Sequence, residues 1–176
     1  MTAVAFDDVD DDDDLCPLTA DAADLRRAFG CFPSGVAAVC ALEDGVPTGI
    51  AASSFVAVSL EPPLVSLCVQ RTSTSWPKLQ RAGRLGVSVL GEHQQATCRD
   101  LAAKGRDRFA RTDWQATGAG AVFVHGSPLW LDCSIHQEVD AGDHVLVLMA
   151  IHHLRVAPEV TPLVFHGSRF RRLAAV

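Results

Sequence analysis

Residues 49–65, GIAASSFVAVSLEPPLV, constrain the fold more tightly than any other stretch of the chain. Small residues alternate with hydroxyls and β-branched side chains as far as Ser59, and no apolar stripe recurs at helical spacing. Residues 48–59 therefore read as extended chain. The corner Glu61-Pro62-Pro63 follows. Proline cannot donate to a sheet ladder, so this corner belongs at the end of a strand. Beyond it, 64–70 is a continuous apolar run of strand length.

The flanking sequence repeats that style. Residues 19–30 predict a short helix, with Thr19 or Asp21 as its cap, early acids suited to its N-terminus and Gly30 to stop it. Phe32-Pro33-Ser34-Gly35 breaks the chain before a strand over 36–42, and Glu43-Asp44-Gly45 has hairpin character. A short helix is expected over 73–81, where Pro77 falls in the first turn and its missing amide is tolerated. A strand follows over 85–90 and a longer helix over 92–104. Residues 105–128, with four glycines, read as loop. Strands are expected over 130–139 and 144–156 around the turn Asp140-Ala141-Gly142-Asp143, then over 163–166 and 169–173 around Gly167-Ser168. About seven short strands joined by tight turns, with two or three helices, make a mainly β, antiparallel domain. The alternating rhythm of a parallel α/β sheet is missing. A small barrel with peripheral helices is the simplest architecture, because closure removes exposed strand edges.

Charge divides the chain into an acidic tail, 1–18, and a domain, 19–176. Residues 7–14 carry seven aspartates, while the rest holds 14 acids against 15 bases. Such a run repels itself and reads as a disordered tail. The near-neutral body argues against nucleic acid as a main partner. No apolar run approaches the ~20 residues that cross a bilayer, and no secretory pattern opens the chain, so a cytoplasmic protein is expected. The six cysteines form no Cys-x-x-Cys pair and no zinc spacing, so no metal site is predicted. Cys40, Cys68 and Cys133 lie in apolar runs, as buried free thiols do.

The motifs of P-loops, dinucleotide-binding βαβ units, nucleophile elbows and zinc proteases are absent. Four clusters remain. Phe32-Pro33-Ser34-Gly35-Val36 is a rigid turn with a glycine that admits close backbone approach. Residues 49–60 offer small side chains and hydroxyls, either the outer face of a half-exposed strand or a bed for a flat ring. Residues 68–75, CVQRTSTS, run from strand into hydroxyls and an arginine, either a helix cap or a phosphate cradle. Gly142-Asp143-His144 is either ordinary turn chemistry or a site for His144.

The order of these clusters resembles the flavin reductase family, whose pattern runs approximately F-P-T-G-V, G-M-T-A-N-S-F-T-S-V-S-L-x-P-P-L, C-V-x-x-x-S, a K/R-F pair and G-D-H. This chain has FPSGV at 32–36, GIAASSFVAVSLEPPL at 49–64, CVQRTS at 68–73, Arg108-Phe109 and GDH at 142–144. Residues 162–167, PLVFHG, resemble the family's closing strand, and the likeness covers roughly 24–173. It implies an FMN-binding split β-barrel, Greek-key-like and antiparallel, in an NAD(P)H-dependent flavin oxidoreductase and homodimer. FMN or FAD is the flavin, NADH or NADPH the co-substrate, and a separate monooxygenase the recipient of reduced flavin.

By that resemblance Ala51, Ala52, Ser53 and Ser54, with Ala57, Val58 and Ser59, face the flavin ring and ribityl chain. Cys68 and Val69 flank the flavin, Ser73 holds its phosphate, and Arg108 and Phe109 lie near the phosphate or an adenine. Pro33, Ser34 and Gly35 line the nicotinamide side with His144, which positions the reaction without obligatory proton transfer. Hydride passes between two rings stacked at roughly 3–3.5 Å, and the cofactors carry the chemistry. Where the family has T-A-N-S this chain has Ala51-Ala52-Ser53-Ser54, and Val56-Ala57 replace Thr-Ser, so an exchangeable flavin is expected. The alternatives are a flavoenzyme of the same fold with another acceptor, or a flavin- or haem-binding module without turnover.

Overall fold

The computed structural model describes residues 21–105 and 107–174. The expected acidic tail and a cap at Thr19 lie outside the described residues. Helix α1 (Ala22–Gly30) opens the described chain, with the Asp21 carboxylate accepting from the Ala23 amide at 2.8 Å. Strand β1 (Ser34–Gly35) follows, then β2 (Ala37–Glu43) and β3 (Val46–Ala52) as a hairpin. Its turn uses Asp44 and Gly45, both at positive φ, which suits the twist of two-residue hairpins.

Extended chain does not run unbroken over 48–59 as expected. It stops at Ala52, and β4 (Val56–Leu60) starts beyond Ser53-Ser54-Phe55, because the two strands belong to opposite edges of one sheet. The Glu61-Pro62 corner then leads to β5 (Pro63–Gln70). Helix α2 (Trp76–Arg81), β6 (Leu85–Val89) and α3 (Gln95–Ala102) come next, α3 being shorter than the 92–104 expected. The stretch read as loop contains a small ribbon, β7 (Trp114–Ala116) with β8 (Val122–Val124). Strands β9 (Leu129–Ala141) and β10 (His144–Val156) are the longest. Because His144 pairs with Ala141, their turn is only Gly142-Asp143. The chain closes with β11 (Val164–His166) and β12 (Arg169–Arg171), a hairpin that also pairs with β1.

Seven strands form one antiparallel sheet in the order β3-β2-β6-β9-β10-β5-β4. Laid flat, six gaps of ~4.8 Å would separate β3 from β4 by about 29 Å. The four Cα steps from Ala52 to Val56 reach at most ~15 Å. The sheet therefore curls until its two edges face each other, without ladder pairing between them. This is a split barrel, mainly β with peripheral helices. Bulges at Leu148/Met149 and Ile151/His153 bend β10 where the curl requires it.

Strand β2 shows how both faces are filled. Ala37, Val39 and Ala41 point into the barrel with Leu67, Leu85, Val87 and Met149, while Ala38 and Cys40 face a second core with Leu90, Leu101, Val122 and Leu163. Burial on both sides explains its unbroken apolar run. Trp76 and Leu79 of α2 add to the barrel core. Cys40 and Cys133 are buried free thiols, and burial pushes both thiols well above the ordinary range. Asp132 is buried, which by itself would raise its carboxyl. Paired bonds from Arg84 at 2.8 and 2.6 Å, with His153 at 3.2 Å, outweigh burial and hold it below the usual carboxylate range. Among the described residues no helix is long and apolar enough to cross a membrane.

Gly86 sets the distance between β6 and the β7–β8 ribbon. A Cβ there would lie 2.0 Å from the Val122 carbonyl oxygen, a backbone atom that cannot rotate away. Gly86→Ala is expected to cost about 3 kcal/mol, the upper part of the usual overpacking range, measured as a lower urea midpoint. A variant as stable as the parent would show that the ribbon can lift from β6 at no cost.

Candidate functional site

Where the sheet edges approach, they leave a cleft of about 390 Å³. One wall is the end of β3 and the link beyond it: Ile50, Ala51, Ala52, Ser53 and Ser54. The opposite wall is the end of β5, Cys68 to Gln70, and the hydroxyl run Thr72-Ser73-Thr74-Ser75. Leu101, Ala102 and Lys104 after α3, then Arg108, close one side, and His144 contributes from β10.

Ser54 holds the two walls together. Its hydroxyl accepts from the Cys68 amide at 2.9 Å and donates to the Cys68 carbonyl at 3.1 Å. A serine here satisfies both polar groups of one residue on the facing strand, as a strand partner would. The hydroxyl run is shaped by its own backbone: the Ser73 amide donates to Gln70 O at 2.9 Å, and Ser73 Oγ accepts from the Trp76 amide at 3.2 Å. Ser73 thus caps the turn into α2 while lining the cleft.

Arg108 braces the cationic side. Its Nε donates to Ala103 O at 2.8 Å, and its Nη1 donates to Gly49 O and to Ser75 Oγ, each at 2.7 Å. These bonds tie β3, the start of α2 and the end of α3 to one guanidinium. The Nη2 protons have no acceptor among the described residues, and neither Arg108 nor Lys104 has a carboxylate partner there. Two cations beside four successive hydroxyl side chains suit an oxyanion such as a phosphate.

His144 sits opposite Gln70 in the β10–β5 ladder, with its Nδ1 2.7 Å from Asp143 Oδ1. That bond from His144 holds the Asp143 carboxyl below its ordinary range. With Asp143 accepting, Nδ1 carries the proton and Nε2 is left for a ligand. Arg71 pins the same turn: its amide donates to Asp143 O and its Nε to Gly142 O, both at 3.0 Å, and its guanidinium pairs with Asp140 at 2.5 Å. The turn that carries His144 is therefore fixed to the wall of the cleft.

The cleft gathers Ala51, Ala52, Ser53, Ser54, Cys68, Val69, Ser73, Arg108 and His144 from the residues singled out in the sequence. Others lie elsewhere. Pro33 is exposed, and Ser34 and Gly35 form β1 against β11. Ala57, Val58 and Ser59 lie on the edge strand β4, outside the cleft of a single chain. Phe109 is buried in the second core, edge-on to Trp114 at 6.3 Å, so its ring serves packing there. Lys104 was missed, and Ser75 belonged to the 68–75 cluster without a role of its own. The signal for Ser75 was present in the hydroxyl run. Lys104, one of only two lysines in an arginine-rich chain, stood at the end of the helix expected over 92–104, outside every motif.

A family model, the flavin reductase like domain, matches residues 29–174. The chain is 38% identical over 153 residues to a flavin reductase from Pseudomonas putida, covering 86% of this chain and 90% of that one. It is also 38% identical to the reductase subunit HsaB of a flavin-dependent monooxygenase from Rhodococcus jostii, covering 87% and 80% respectively. Among solved structures, the NADH:FAD oxidoreductase SgcE6 of Streptomyces globisporus, in complex with NAD and FAD fragments, superposes with a TM-score of 0.82. There the identity is 36%, and 86% of this chain and 92% of that chain are covered.

Removing the Ser54 hydroxyl strands the amide and carbonyl of Cys68 between the walls. Ser54→Ala should lower stability by about 1–3 kcal/mol, seen as a reduced urea midpoint with unchanged slope. An unchanged midpoint would mean that the walls are held by packing alone.

Proposed function

The chain belongs to the flavin reductase-like family, and from that premise we propose that it is an NAD(P)H:flavin oxidoreductase acting on FMN or FAD. The observation that carries this reading is the cleft itself: a flat, small-residue wall at Ala51-Ala52 faces a hydroxyl run, with Lys104 and Arg108 at its side. A flavin fits this donor set. Small side chains let a ring lie close to strand backbone, and the hydroxyls and cations suit its phosphate.

When bound, flavin supplies the redox chemistry by accepting hydride from the nicotinamide C4. The chain's own residues orient and neutralise. Ser54 fixes the spacing of the walls, and Arg108 fixes Ser75 and the adjoining backbone. Lys104 and the Nη2 edge of Arg108 offset phosphate charge. His144, held by Asp143, presents Nε2 to a donor such as the carboxamide of nicotinamide, a positioning role without proton transfer. At Ala51 and Ser53 the family's threonine hydroxyl and asparagine amide are gone, each a loss of about 1 kcal/mol. Flavin is then an exchangeable substrate, which suits a reductase that supplies reduced flavin to a separate monooxygenase; the HsaB relative's name supports that partnership.

The working unit is a cytoplasmic homodimer of the 19–176 domain. The support for pairing is apolar surface that one chain leaves uncovered: Leu60 on β4 is 97% exposed, and Phe29 and Phe32 at the end of α1 are 71% and 76% exposed.

Steady-state assays with free FMN and FAD test the proposal. NADH or NADPH should be oxidised only when flavin is added, and His144→Ala should raise the KM for the nicotinamide about fivefold, the value of one hydrogen bond. Flavin binding with no nicotinamide oxidation would leave a binding module instead. Unchanged nicotinamide kinetics in the variant would remove His144 from the site.

A further inference from the structure

Helix α2 has to be held from outside. It is six residues long, and Pro77 in its first turn removes an amide, so its own hydrogen bonds do little to fix it. Its position matters because the hydroxyl run of the cleft leads straight into it: Ser73 Oγ accepts from the Trp76 amide, and Ser75 Oγ accepts from Arg108. One hold is Glu43, whose carboxylate pairs with Lys78 at 2.8 Å and with Arg81 at 2.6 Å. Both cations are exposed, and such pairs contribute little. The other hold is Glu138 of β9. Its Oε1 accepts from the Trp76 indole Nε1 at 2.9 Å, and its Oε2 accepts from Gln80 Nε2 at 2.6 Å. Trp76 and Gln80 stand four residues apart, on one face of the helix, so one carboxylate serves both.

Glu138 reaches α2 because β9 is bulged. Ile135 pairs with Met149 and Gln137 with Leu148, which leaves His136 as an extra residue in the ladder. Ile135 and Met149 pack in the barrel core. In regular alternation the next barrel-facing residues of β9 would be Gln137 and Val139. The bulge reverses that phase. Glu138 now stands opposite Val147, itself a barrel-core residue, and faces the same side. A carboxylate is thereby turned toward the buried Trp76.

We propose that Glu138 is a positioning residue for the phosphate end of the flavin site. It fixes Trp76 and Gln80, and through them the Ser73 and Ser75 hydroxyls, without lining the cleft itself. This assignment rests on the flavin reductase reading of the cleft. Trp76 is the link: Ser73 holds its amide and Glu138 its indole, so a helix that moves when the indole is released carries the hydroxyl run with it. The small-residue wall at Ala51-Ala52 belongs to β3 and has no bond to Glu138, so a flavin ring keeps its bed.

Riboflavin and FMN share one ring and differ by the phosphate, so calorimetric titration of the whole chain with each separates the two ends of the site. Glu138→Ala should weaken FMN about tenfold and riboflavin by less than about twofold. Glu138→Gln keeps one acceptor for the indole N–H but sets a donor against Gln80. It should weaken FMN about threefold, again with riboflavin unmoved. In steady state the KM for FMN should rise by the same factors, while kcat at saturating FMN stays within about twofold. Retained riboflavin binding shows that a variant is folded; should Glu138→Ala not fold, Glu138→Gln decides alone. Equal weakening of FMN and riboflavin would overturn the proposal, because a general loosening of the barrel treats both alike. Unchanged FMN affinity in the folded variants would overturn it as well. A parent chain that binds neither flavin would defeat the reading of the cleft, a failure distinct from an unmoved ratio of FMN to riboflavin affinity.

Discussion

A sheet whose first and last strands are joined by three residues cannot lie flat, and most of this structure answers that constraint. The link Ser53-Ser54-Phe55 carries the chain from β3 to β4, from one end of a seven-stranded order to the other. The edges are brought together but not zipped, and the two bonds from Ser54 to Cys68 take the place of a ladder. A closed ladder would have left no opening; a flat sheet would have left no cleft. The split between the edges is what gives a ring-shaped ligand a wall on each side.

Around that split the polar groups are arranged by rank of rigidity. Arg108 is committed to three acceptors from three segments, so it behaves first as a brace and then as a cation facing the cleft. Lys104 has no such commitments among the described residues. His144 is held from both sides, by Asp143 and by the Arg71 bonds that fix its turn. One well-paired buried charge, Asp132 with Arg84, lies outside the cleft, lining a separate pocket with Trp130 and Phe123. Because its folded-state carboxyl is held below the ordinary value, its contribution is present above about pH 4 and is lost as pH falls through the lowered value. Acid therefore weakens that side of the barrel first.

Much of this was legible from local chemistry. Asp44-Gly45, Gly142-Asp143 and Gly167-Ser168 each announced a hairpin, because two-residue turns demand backbone that few residues adopt readily. The proline corner fixed a strand end, and Asp21 supplied the cap of α1. Of the five ordered motifs, four contribute residues to the cleft. The rest was hidden for physical reasons. The break at Ser53–Phe55 has the same composition as its flanks, and only the curl of the whole sheet forces it. Strands β7 and β8 are three residues each, too short for alternation to show against a glycine-rich background. Phe109 follows Arg108 and lines a groove with it, while its ring also packs edge-on against Trp114 in the second core. The place of Lys104 in the cleft depends on how β3, α2 and the segment after α3 come together, which no single stretch of sequence displays.

The central claim is that the split between β3 and β5 is the flavin bed. Amide hydrogen exchange measured with and without saturating flavin tests it most directly, because protection reports where the ligand covers backbone. Slowed exchange should concentrate in residues 49–54 and 68–75, with a smaller effect at the 142–144 turn. Protection centred on the pocket of Arg84, Trp130 and Leu154, with residues 49–54 unaffected, would contradict it.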